Sequence, residues 1–311
     1  MMPSTQHQPP DQRDTAPRLD GRVLVFGEML FDHFPDGSRV LGGAPFNVAW
    51  HLQAFGQSPG FISRVGDDAE GETVRAAMSD WGMDTRLLQS DKQYPTGKVK
   101  VTFNDGEPAY DIVRPCAYDA VEILPQAPSC GLLYHGSLAL REEKSRLALE
   151  QLKSSLPKTV FIDVNLRPPW YQLQQVQQMV HTANWVKLNT DELNILYPEA
   201  DSGSAMATDF LHQYELDGLV LTHGAEGAEL ITNSGEHFQV RPEKNIDVVD
   251  TVGAGDAFAS IIILGLRQNW PLDITLQRAQ LFASKLVGNR GATVSDADFY
   301  QLFINQWNLA A

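Results

Sequence analysis

The chain has 311 residues, of which 43% are hydrophobic and 20% are charged, an ordinary composition for a globular protein. At this length folding buries roughly three quarters of the unfolded surface, which allows one large domain with an insertion, or two domains. The formal net charge of −15 argues against nucleic acid or an anionic membrane as the main partner, because both would repel the chain.

The N-terminal residues and the cysteines favour a cytoplasmic protein. Residues 1–20 are rich in Pro, Gln, Asp and Thr and contain no apolar segment, so we expect a disordered tail rather than a secretory signal. Cys116 and Cys130 match no metal-site spacing and no disulfide framework, as is typical of inert thiols in a reducing compartment. The longest apolar run, residues 257–266, is far too short to span a bilayer.

The first part of the chain alternates between strand and helix patterns. Apolar runs typical of buried strands occupy residues 22–26 and 61–64. Helical periodicity occupies residues 45–55 and 70–81, and a glycine follows each of these two segments. This order indicates the beginning of an α/β fold.

The pattern changes between residues 82 and 124. Residues 98–103 alternate polar and apolar side chains, residues 104–108 read Asn-Asp-Gly-Glu-Pro and predict a turn, and residues 109–113 predict a second strand. A hairpin with one exposed face does not fit a parallel sheet that is buried on both sides. We therefore expect a small β lid formed from about residues 28–42 and 95–118. Its alternating face could also serve as the interface of a homodimer.

The alternation of strands and helices returns after residue 124. It predicts a central, mostly parallel sheet with helices on both faces, so we assign residues 21–311 to one α/β domain that carries the lid. The predicted strands are residues 132–135, 159–163, 185–188, 219–222, 228–232 and 237–240. The predicted helices are residues 142–156, 172–181, 191–196, 205–214, 254–266, 272–287 and 296–307.

Three polar clusters directly follow predicted strands, at residues 163–167, 189–192 and 222–227. In open α/β sheets, ligands bind at the carboxyl ends of the strands. The polar residues of this chain are therefore concentrated where such a fold places its site.

Residues 249–258 read Val-Asp-Thr-Val-Gly-Ala-Gly-Asp-Ala-Phe and predict a loop that leads into a helix. A helix N-terminus offers unpaired backbone N–H groups and a positive dipole end, so it attracts anions. The small residues Gly253, Ala254 and Gly255 let an anion approach the backbone. Asp256 beside such a site indicates a general base that takes a proton from a hydroxyl while the N–H groups hold a phosphoryl group.

Two similar motifs do not fit this segment. A dinucleotide fingerprint requires a third glycine where Phe258 stands, and none follows the first strand, which disfavours an NAD-dependent dehydrogenase. A P-loop requires Gly-Lys-Ser/Thr after the glycines, and this is missing from the segment. A capped helix with a surface aspartate is the simpler alternative.

A second segment, residues 42–49, reads Gly-Gly-Ala-Pro-Phe-Asn-Val-Ala. Together the two segments resemble the signatures of the PfkB (ribokinase-like) family of carbohydrate kinases. The resemblance spans about residues 22–300 and implies a ribokinase-like fold. Supporting matches, in the order of the family, are Gly27-Glu28 with Asp32, residues 163–167, residues 189–192 and residues 222–227.

The resemblance implies an enzyme that transfers the γ-phosphoryl group of ATP to a sugar hydroxyl. It supports Asp256 as the general base and the N–H groups of Gly253, Ala254 and Gly255 as the groups that stabilise the developing charge. It also implies that Arg167 lies near the sugar and the transferred group. A surface arginine beside a loop is the alternative for Arg167.

Asp32, Gly42, Gly43 and Asn47 match sugar-binding positions of the family. A carboxylate accepts hydrogen bonds from two hydroxyls, and an amide both donates and accepts. The two glycines permit close approach of the sugar. Asp32 could instead be a solvated lid carboxylate, and Asn47 could instead cap the following helix.

The nucleotide and its metal ions are implied by further matches. Mg²⁺ keeps much of its water shell, so Glu192 alone could hold it through water, although Asn189 and Glu192 would also suit a helix cap. Many members of the family bind a monovalent cation, and we expect potassium here, mostly on backbone carbonyls. The positions expected to contact the nucleotide are Asn189, Glu192, Thr222, Gly224, Gly227, Gly253 and Gly255. The positions expected to contact potassium are Asp250, Val252, Leu286, Asn289, Gly291 and Ser295.

The signature segments also indicate which kind of sugar is the substrate. Members that act on phosphorylated sugars often carry a lysine after the paired glycines, whereas Ala44 and Pro45 supply no cation here, which favours a neutral sugar. The segments look most like those of bacterial fructokinases, so fructose is the expected substrate.

Three alternatives stay open at this point. A 2-keto-3-deoxygluconate kinase would need a cation for the sugar-acid carboxylate, and Arg167 or Arg114 could provide it. Ribokinase fits less well. A non-catalytic sugar sensor is disfavoured because it would have no need for Asp256.

Overall fold

The computed structural model describes residues 21–104, 107–126, 129–155, 159–198, 204–243 and 247–309. The tail predicted over residues 1–20 lies outside the described residues. Residues 105–106, the centre of the predicted lid turn, also lie outside them.

Two β-sheets contain the thirteen strands of the described ranges. In chain order the strands are β1 (Arg22–Phe26), β2 (Leu30–His33), β3 (Arg39–Gly42), β4 (Gly60–Gly66), β5 (Leu88–Asp91), β6 (Gly97–Asn104), β7 (Glu107–Ile112), β8 (Cys130–His135), β9 (Thr159–Asp163), β10 (Trp185–Asn189), β11 (Gly218–Thr222), β12 (Ala228–Thr232) and β13 (His237–Val240). The larger sheet has the order β13-β12-β11-β10-β9-β8-β1-β4-β5. Neighbouring strands pair in parallel except that β12 is antiparallel to both β11 and β13 at one edge, so the mostly parallel sheet is confirmed.

Helices cover both faces of the larger sheet, as predicted. In chain order the α-helices of the described part are α1 (Ala44–Ala54), α2 (Ala69–Asp80), α3 (Glu143–Ser155), α4 (Leu173–Val180), α5 (Thr190–Leu196), α6 (Ser204–Gln213), α7 (Ala254–Gln268), α8 (Leu272–Leu286) and α9 (Ala297–Trp307). On one face, Val25 and Phe161 share a core with α1, α7, α8 and α9. On the other face, Val160 and Ile162 pack with α4, α5 and α6. Within the described residues, no helix is long and apolar enough to cross a membrane.

Helix α7 is anchored in the larger core. Residues 257–265 are all buried, and the helix packs against α1 and α8. Full burial of each large aliphatic side chain contributes about 1.5–3 kcal/mol, so this helix is held firmly. Its N-terminus, which carries Asp256, is therefore positioned by the core.

The smaller sheet has the order β3-β2-β6-β7, and the second sheet expected from the hairpin pattern is confirmed. β6 and β7 are the predicted hairpin, with Val99 opposite Ile112. The segment at residues 30–40, expected to join the lid, contributes two further strands, and β2 runs parallel to β6. The apolar side of this sheet packs on the short helical turns at Ala117–Ala120 and Leu138–Leu140, next to the end of β8.

Candidate active site

The polar clusters of the sequence meet at the carboxyl ends of the parallel strands. β1 ends at Phe26 just before Glu28, β9 ends at Asp163, and β10 ends at Asn189. Hydrogen bonds and charge interactions join these strand ends to the N-termini of α1 and α7. The candidate active site is this junction, bordered on one side by the smaller sheet.

Asp256 lies in the first turn of α7 and is held by Asn47 of α1. The Nδ2 of Asn47 donates a hydrogen bond to Oδ2 of Asp256 at 2.8 Å. Asn47 is only 4% exposed, whereas Asp256 keeps part of its surface open. The Oδ1 of Asn47 has no hydrogen-bond partner within the described residues. A buried acceptor without a partner is costly, and a sugar hydroxyl could satisfy it beside Asp256.

The environment of Asp256 suits a general base. Burial raises its pKa to about 6. The hydrogen bond from Asn47 opposes this rise, the charge of Asp163 adds to it, and the charges of Lys187 and Arg167 oppose it. A base works best when its pKa lies near the working pH, because it is then both ionised and basic.

The start of α7 offers N–H groups to an anion. Ala254 N donates weakly to the carbonyl of Thr251 at 3.3 Å, and Ala257 N donates to the carbonyl of Gly253 at 2.9 Å. The N–H groups of Gly255 and Asp256 have no acceptor among the described residues. Two donors at a positive helix end can therefore bind a phosphoryl group.

Different contacts explain why glycine occupies positions 253 and 255. Gly253 has a φ of 82°, in the left-handed region, and a Cβ atom there would overlap the Cα of Ala292. A Cβ atom at Gly255 would lie 3.4 Å from the Nζ of Lys187. Sequence reasoning assigned both glycines to the approach of an anion, whereas the geometry gives Gly253 a reason in packing.

Lys187 and Asp163 form a buried ion pair close to the N-terminus of α7. The Nζ of Lys187 lies 2.8 Å from Oδ2 of Asp163, and the two residues are 6% and 2% exposed. Burial lowers the pKa of Lys187, but the carboxylates of Asp163, Glu192 and Asp256 raise it by more, so the lysine stays charged. The acidic chain thus keeps a positive charge where an anionic substrate would bind.

The residues predicted to bind the sugar border the same end of the cleft. Burial raises the pKa of Asp32, and the charges of His33 and Arg167 oppose this rise, which places the Arg167 side chain near the carboxylate. A Cβ atom at Gly42 would meet Asn47 Oδ1 at 3.9 Å and no other atom of the described residues within 4 Å, so Gly42 leaves space there.

Gly43 is required by a close approach of the chain. A Cβ atom at this position would lie 2.8 Å from the carbonyl oxygen of Glu28, and the residue has a φ of 113°. The backbone at Gly43 is therefore pressed against the residue that follows β1. This contact fixes the start of α1, and with it Asn47, relative to the central strand.

Glu28 is a site residue to which the sequence assigned no role. It is 3% exposed, and its Oε2 has no hydrogen-bond partner among the described residues. Burial raises its pKa to about 7; hydrogen bonds from its own N–H and from Ala139 and the charge of Arg167 oppose the rise, and the charge of Asp256 adds to it. The signal in the sequence was a carboxylate two residues after the apolar run at residues 23–26.

Asn189 and Glu192 form a reciprocal capping box at the start of α5. The Oδ1 of Asn189 accepts from Glu192 N at 2.9 Å, and Oε2 of Glu192 accepts from Asn189 N at 2.9 Å. The other carboxylate oxygen of Glu192 accepts from Leu166 N at 2.7 Å. The capping interpretation is therefore confirmed, and each carboxylate oxygen still has acceptor capacity for a metal-bound water.

A magnesium site here would depend mainly on water. Within the described part of the chain, no group of three or more His, Cys, Asp or Glu side chains is arranged to hold a metal ion. Mg²⁺ keeps several waters in most protein sites, so a single carboxylate such as Glu192 fits that chemistry. The metal role of Glu192 stays a prediction.

A cavity of about 520 Å³ lies between the loop after β11, the start of α7 and α8. Four of the seven predicted nucleotide residues line it, namely Thr222, Gly224, Gly227 and Gly255, whereas Asn189, Glu192 and Gly253 do not. Sequence reasoning missed most of the lining from α8 and from the segment before α7, because helix periodicity shows which face of a helix is apolar but not what that face contacts. The missed lining residues are Ala225, Pro242, Glu243, Val248, Thr251, Phe258, Gln280, Ala283, Ser284 and Val287.

Five of the six positions predicted for a monovalent cation lie on two loops that Asp250 joins, and the sixth, Leu286, is the last residue of α8. Its Oδ2 accepts from Gly291 N at 2.9 Å, and its Oδ1 accepts from Val252 N at 3.0 Å. The carbonyl of Leu286 already accepts from Asn289 N at 2.8 Å. The exposed side chains among the predicted positions are Val252 and Ser295. The two loops meet as expected, and potassium binding stays a prediction.

Comparison with known proteins identifies the family of the chain. The model of the pfkB family carbohydrate kinases matches residues 22–298, so the chain belongs to that family. It is a phosphotransferase that acts on a sugar, and this excludes the non-catalytic sensor.

Individual relatives differ in the substrate that their names state. A fructokinase of Salmonella typhimurium is 32% identical over 298 residues, which cover 90% of this chain and 95% of the relative. An aminoimidazole riboside kinase of Salmonella typhimurium is 31% identical and covers 79% of this chain and 81% of that protein. The crystal structure of a Vibrio cholerae O395 fructokinase with fructose, ADP and calcium has a TM-score of 0.76 at 25% identity, covering 91% of this chain and 99% of that one. The ribokinase-like fold is therefore confirmed, and the sugar is left open.

Proposed function

We propose that this kinase transfers the γ-phosphoryl group of ATP to a hydroxyl of a neutral monosaccharide, with fructose as the first candidate. The observation that carries the proposal is the position of Asp256. It shares the first turn of α7 with two unpaired N–H groups, and Asn47 holds its carboxylate at 2.8 Å. A base and an anion site are thus combined within one helical turn.

Phosphoryl transfer follows from this arrangement. The sugar hydroxyl oxygen forms a bond to the γ-phosphorus as the bond from that phosphorus to the β,γ-bridging oxygen breaks and ADP leaves. The hydroxyl proton passes to the carboxylate of Asp256. The N–H groups of Gly255 and Asp256 and the charge of Arg167 stabilise the negative charge that develops on the transferred group.

The nucleotide is assigned to the cavity beside Thr222, Gly224 and Gly227. Its apolar lining suits a base and its junction with the start of α7 suits phosphates. When bound, Mg²⁺ would neutralise phosphate charge from a position near Glu192. Potassium would bind at the loops joined by Asp250. A cytoplasmic location and a homodimer through the smaller sheet belong to the same proposal.

Ion pairing around the pocket supports a neutral sugar. Arg114 pairs with Glu142, and the guanidinium of Arg141 pairs with Asp119 at 2.7 Å. The buried pair occupies Arg141, and Arg114 would have to leave Glu142 to bind the carboxylate of a sugar acid. Arg167 has no ion pair within the described residues, but it is assigned here to the transferred phosphoryl group. This disfavours 2-keto-3-deoxygluconate as the substrate.

Fructose is favoured within the neutral sugars because fructokinases are among the relatives with the longest matched segments. Ribose and aminoimidazole riboside are the candidates to test against it, the second because a relative at 31% identity is named for it.

ATP consumption with Mg²⁺ and K⁺ tests the proposal across fructose, ribose, aminoimidazole riboside, 2-keto-3-deoxygluconate and fructose 6-phosphate. We expect the highest kcat/KM with fructose and loss of that activity in Asp256→Ala. Preference for a charged substrate would contradict the neutral-sugar assignment. Near wild-type turnover by Asp256→Ala would contradict the base.

A further inference from the structure

A buried carboxylate lies next to the loop at residues 223–227 but does not line the cavity proposed for the nucleotide. Glu229 of β12 is 4% exposed, although an acid is rarely buried without partners. Its Oε1 lies 3.0 Å from Nε2 of His223, and its Oε2 lies 2.6 Å from Nε2 of His237. Both oxygens of the carboxylate are thus engaged by imidazoles from neighbouring parts of the chain.

The hydrogen-bond roles of His223 follow from its partners. A carboxylate only accepts, so Nε2 of His223 carries the proton that it donates to Glu229. The other ring nitrogen, Nδ1, lies 2.9 Å from the Oγ1 of Thr190, within hydrogen-bond distance. The result is one hydrogen-bonded chain from Thr190 through His223 to Glu229.

This chain connects two parts of the proposed nucleotide site. Thr190 is the first residue of α5 and lies between the two residues of the capping box, Asn189 and Glu192. His223 opens the loop that contributes Gly224, Ala225 and Gly227 to the cavity, and its N–H donates to the carbonyl of Gly227 at 2.8 Å. Side-chain contacts therefore fix the loop relative to the start of α5.

We propose that His223 and Glu229 are positioning residues for the nucleotide: they hold the loop at residues 223–227 against α5, so that the two parts of the site keep one spacing. This rests on the proposed function, because it takes the cavity as the nucleotide site. Neither residue lines the cavity, so both act through the loop. Preorganised contacts of this kind strengthen binding by removing the cost of ordering the loop.

A double-mutant cycle tests the link between Thr190 and His223. Thr190→Val removes the hydroxyl at nearly constant size, and His223→Leu removes both contacts of the imidazole. Thr73→Val is the matched control, because its exposed hydroxyl bonds only within α2, to the carbonyl of Ala69 at 2.8 Å. Binding of ATP with Mg²⁺, and separately of fructose, is measured by calorimetry on folded proteins checked by thermal melting.

We expect Thr190→Val to weaken ATP binding by about threefold to tenfold, since one hydrogen bond is lost. His223→Leu should weaken ATP binding at least as much. The double variant should bind ATP as tightly as His223→Leu alone, and the affinity for fructose should not change. Glu229→Gln should also raise the KM for ATP while leaving kcat near wild type. Wild-type ATP affinity in the folded variants, fully additive effects, or an equal loss of fructose affinity would each overturn the inference. Failure of the wild type to bind ATP would instead overturn the proposed function, and the inference with it.

Discussion

The proposed sugar side and the proposed nucleotide side of the cleft differ in whether side chains or backbone groups face the ligand. On the proposed sugar side, side chains dominate: the charge of Arg167 acts on the carboxyl groups of Glu28, Asp32 and Asp256. On the proposed nucleotide side, eight of the fifteen residues that line the cavity are glycine, alanine or valine, and the N–H groups at the start of α7 lie next to them. Single side-chain changes should therefore alter the sugar chemistry, whereas the nucleotide side should respond mainly to changes in backbone position.

The largest effect is expected on the sugar side, from Asp256→Asn. The amide keeps the shape of the side chain but cannot take the hydroxyl proton, so kcat should fall roughly 10²–10⁴-fold. Affinity for ATP should change little, because the backbone N–H groups stay in place. Asp273→Asn, which alters another aspartate in the first turn of a helix, is the control for kcat and calorimetry. A fall in kcat of less than tenfold would show that another group takes the proton.

A backbone change on the nucleotide side should have the next largest effect. Gly253→Ala adds a Cβ atom that overlaps the Cα of Ala292 at a φ of 82°, so the start of α7 must move. Displacement of catalytic donors by about 1 Å can cost a hundredfold, and we expect kcat/KM to fall about tenfold to a hundredfold.

Gly37→Ala separates overlap from backbone strain. Gly37 has a φ of 83°, and a Cβ atom there would meet nothing within 4 Å among the described residues. This variant should lose only about 1–2 kcal/mol of unfolding free energy and no activity. Equal kinetic losses in the two variants would contradict the role of the Ala292 contact.

The sequence predicted the repeating parts of the fold better than its edges. The predicted bounds of β1, β9, β12 and β13 agree with the structure, because each strand is an apolar or alternating run bounded by turn residues. β5, which reads Leu-Gln-Ser-Asp at the edge of the sheet, was missed because a half-exposed edge strand carries little apolar pattern.

The candidate site likewise has residues that the sequence predicted and residues that it did not. Asn47 and Asp256 are 209 residues apart, and only the resemblance to a kinase family suggested that they meet. The burial of Glu28 and the contacts of Glu229 depend on which elements pack around them, and periodicity does not report this. The family resemblance suggested which residues lie in the site, whereas packing determines the charge state of each titratable side chain there.

Asn47→Leu should separate orientation of the base from its ionisation. The hydrogen bond from Asn47 lowers the pKa of Asp256, so its loss should raise that pKa above about 6. Asp256 must be ionised to act, and activity is therefore lost as the pH falls through this pKa. We expect the acidic limb of kcat/KM to lie near pH 6 in the wild type and at higher pH in the variant, with the KM for sugar raised about tenfold. Asn305→Leu, at an exposed position on α9, serves as the control. An unshifted limb in Asn47→Leu would contradict the assignment of that limb to Asp256.

The smallest effect is expected from Glu28→Gln, at alkaline pH. Burial raises the pKa of Glu28 to about 7, so the carboxyl is neutral below that pH and ionised above it. Ionisation places a second negative charge beside Asp256, where the phosphoryl group must approach. The kcat/KM for ATP should then fall by about twofold to fivefold above pH 7 in the wild type and stay level in the variant.

Glu122→Gln gives the matched control for this measurement. Ion pairs with Arg64 and Lys144 hold the pKa of Glu122 at about 2, so its charge does not change in that range. An alkaline decline that persists in Glu28→Gln would assign the titration to another group. A decline that disappears would show that the charge of Glu28, on the sugar side, controls the turnover of ATP.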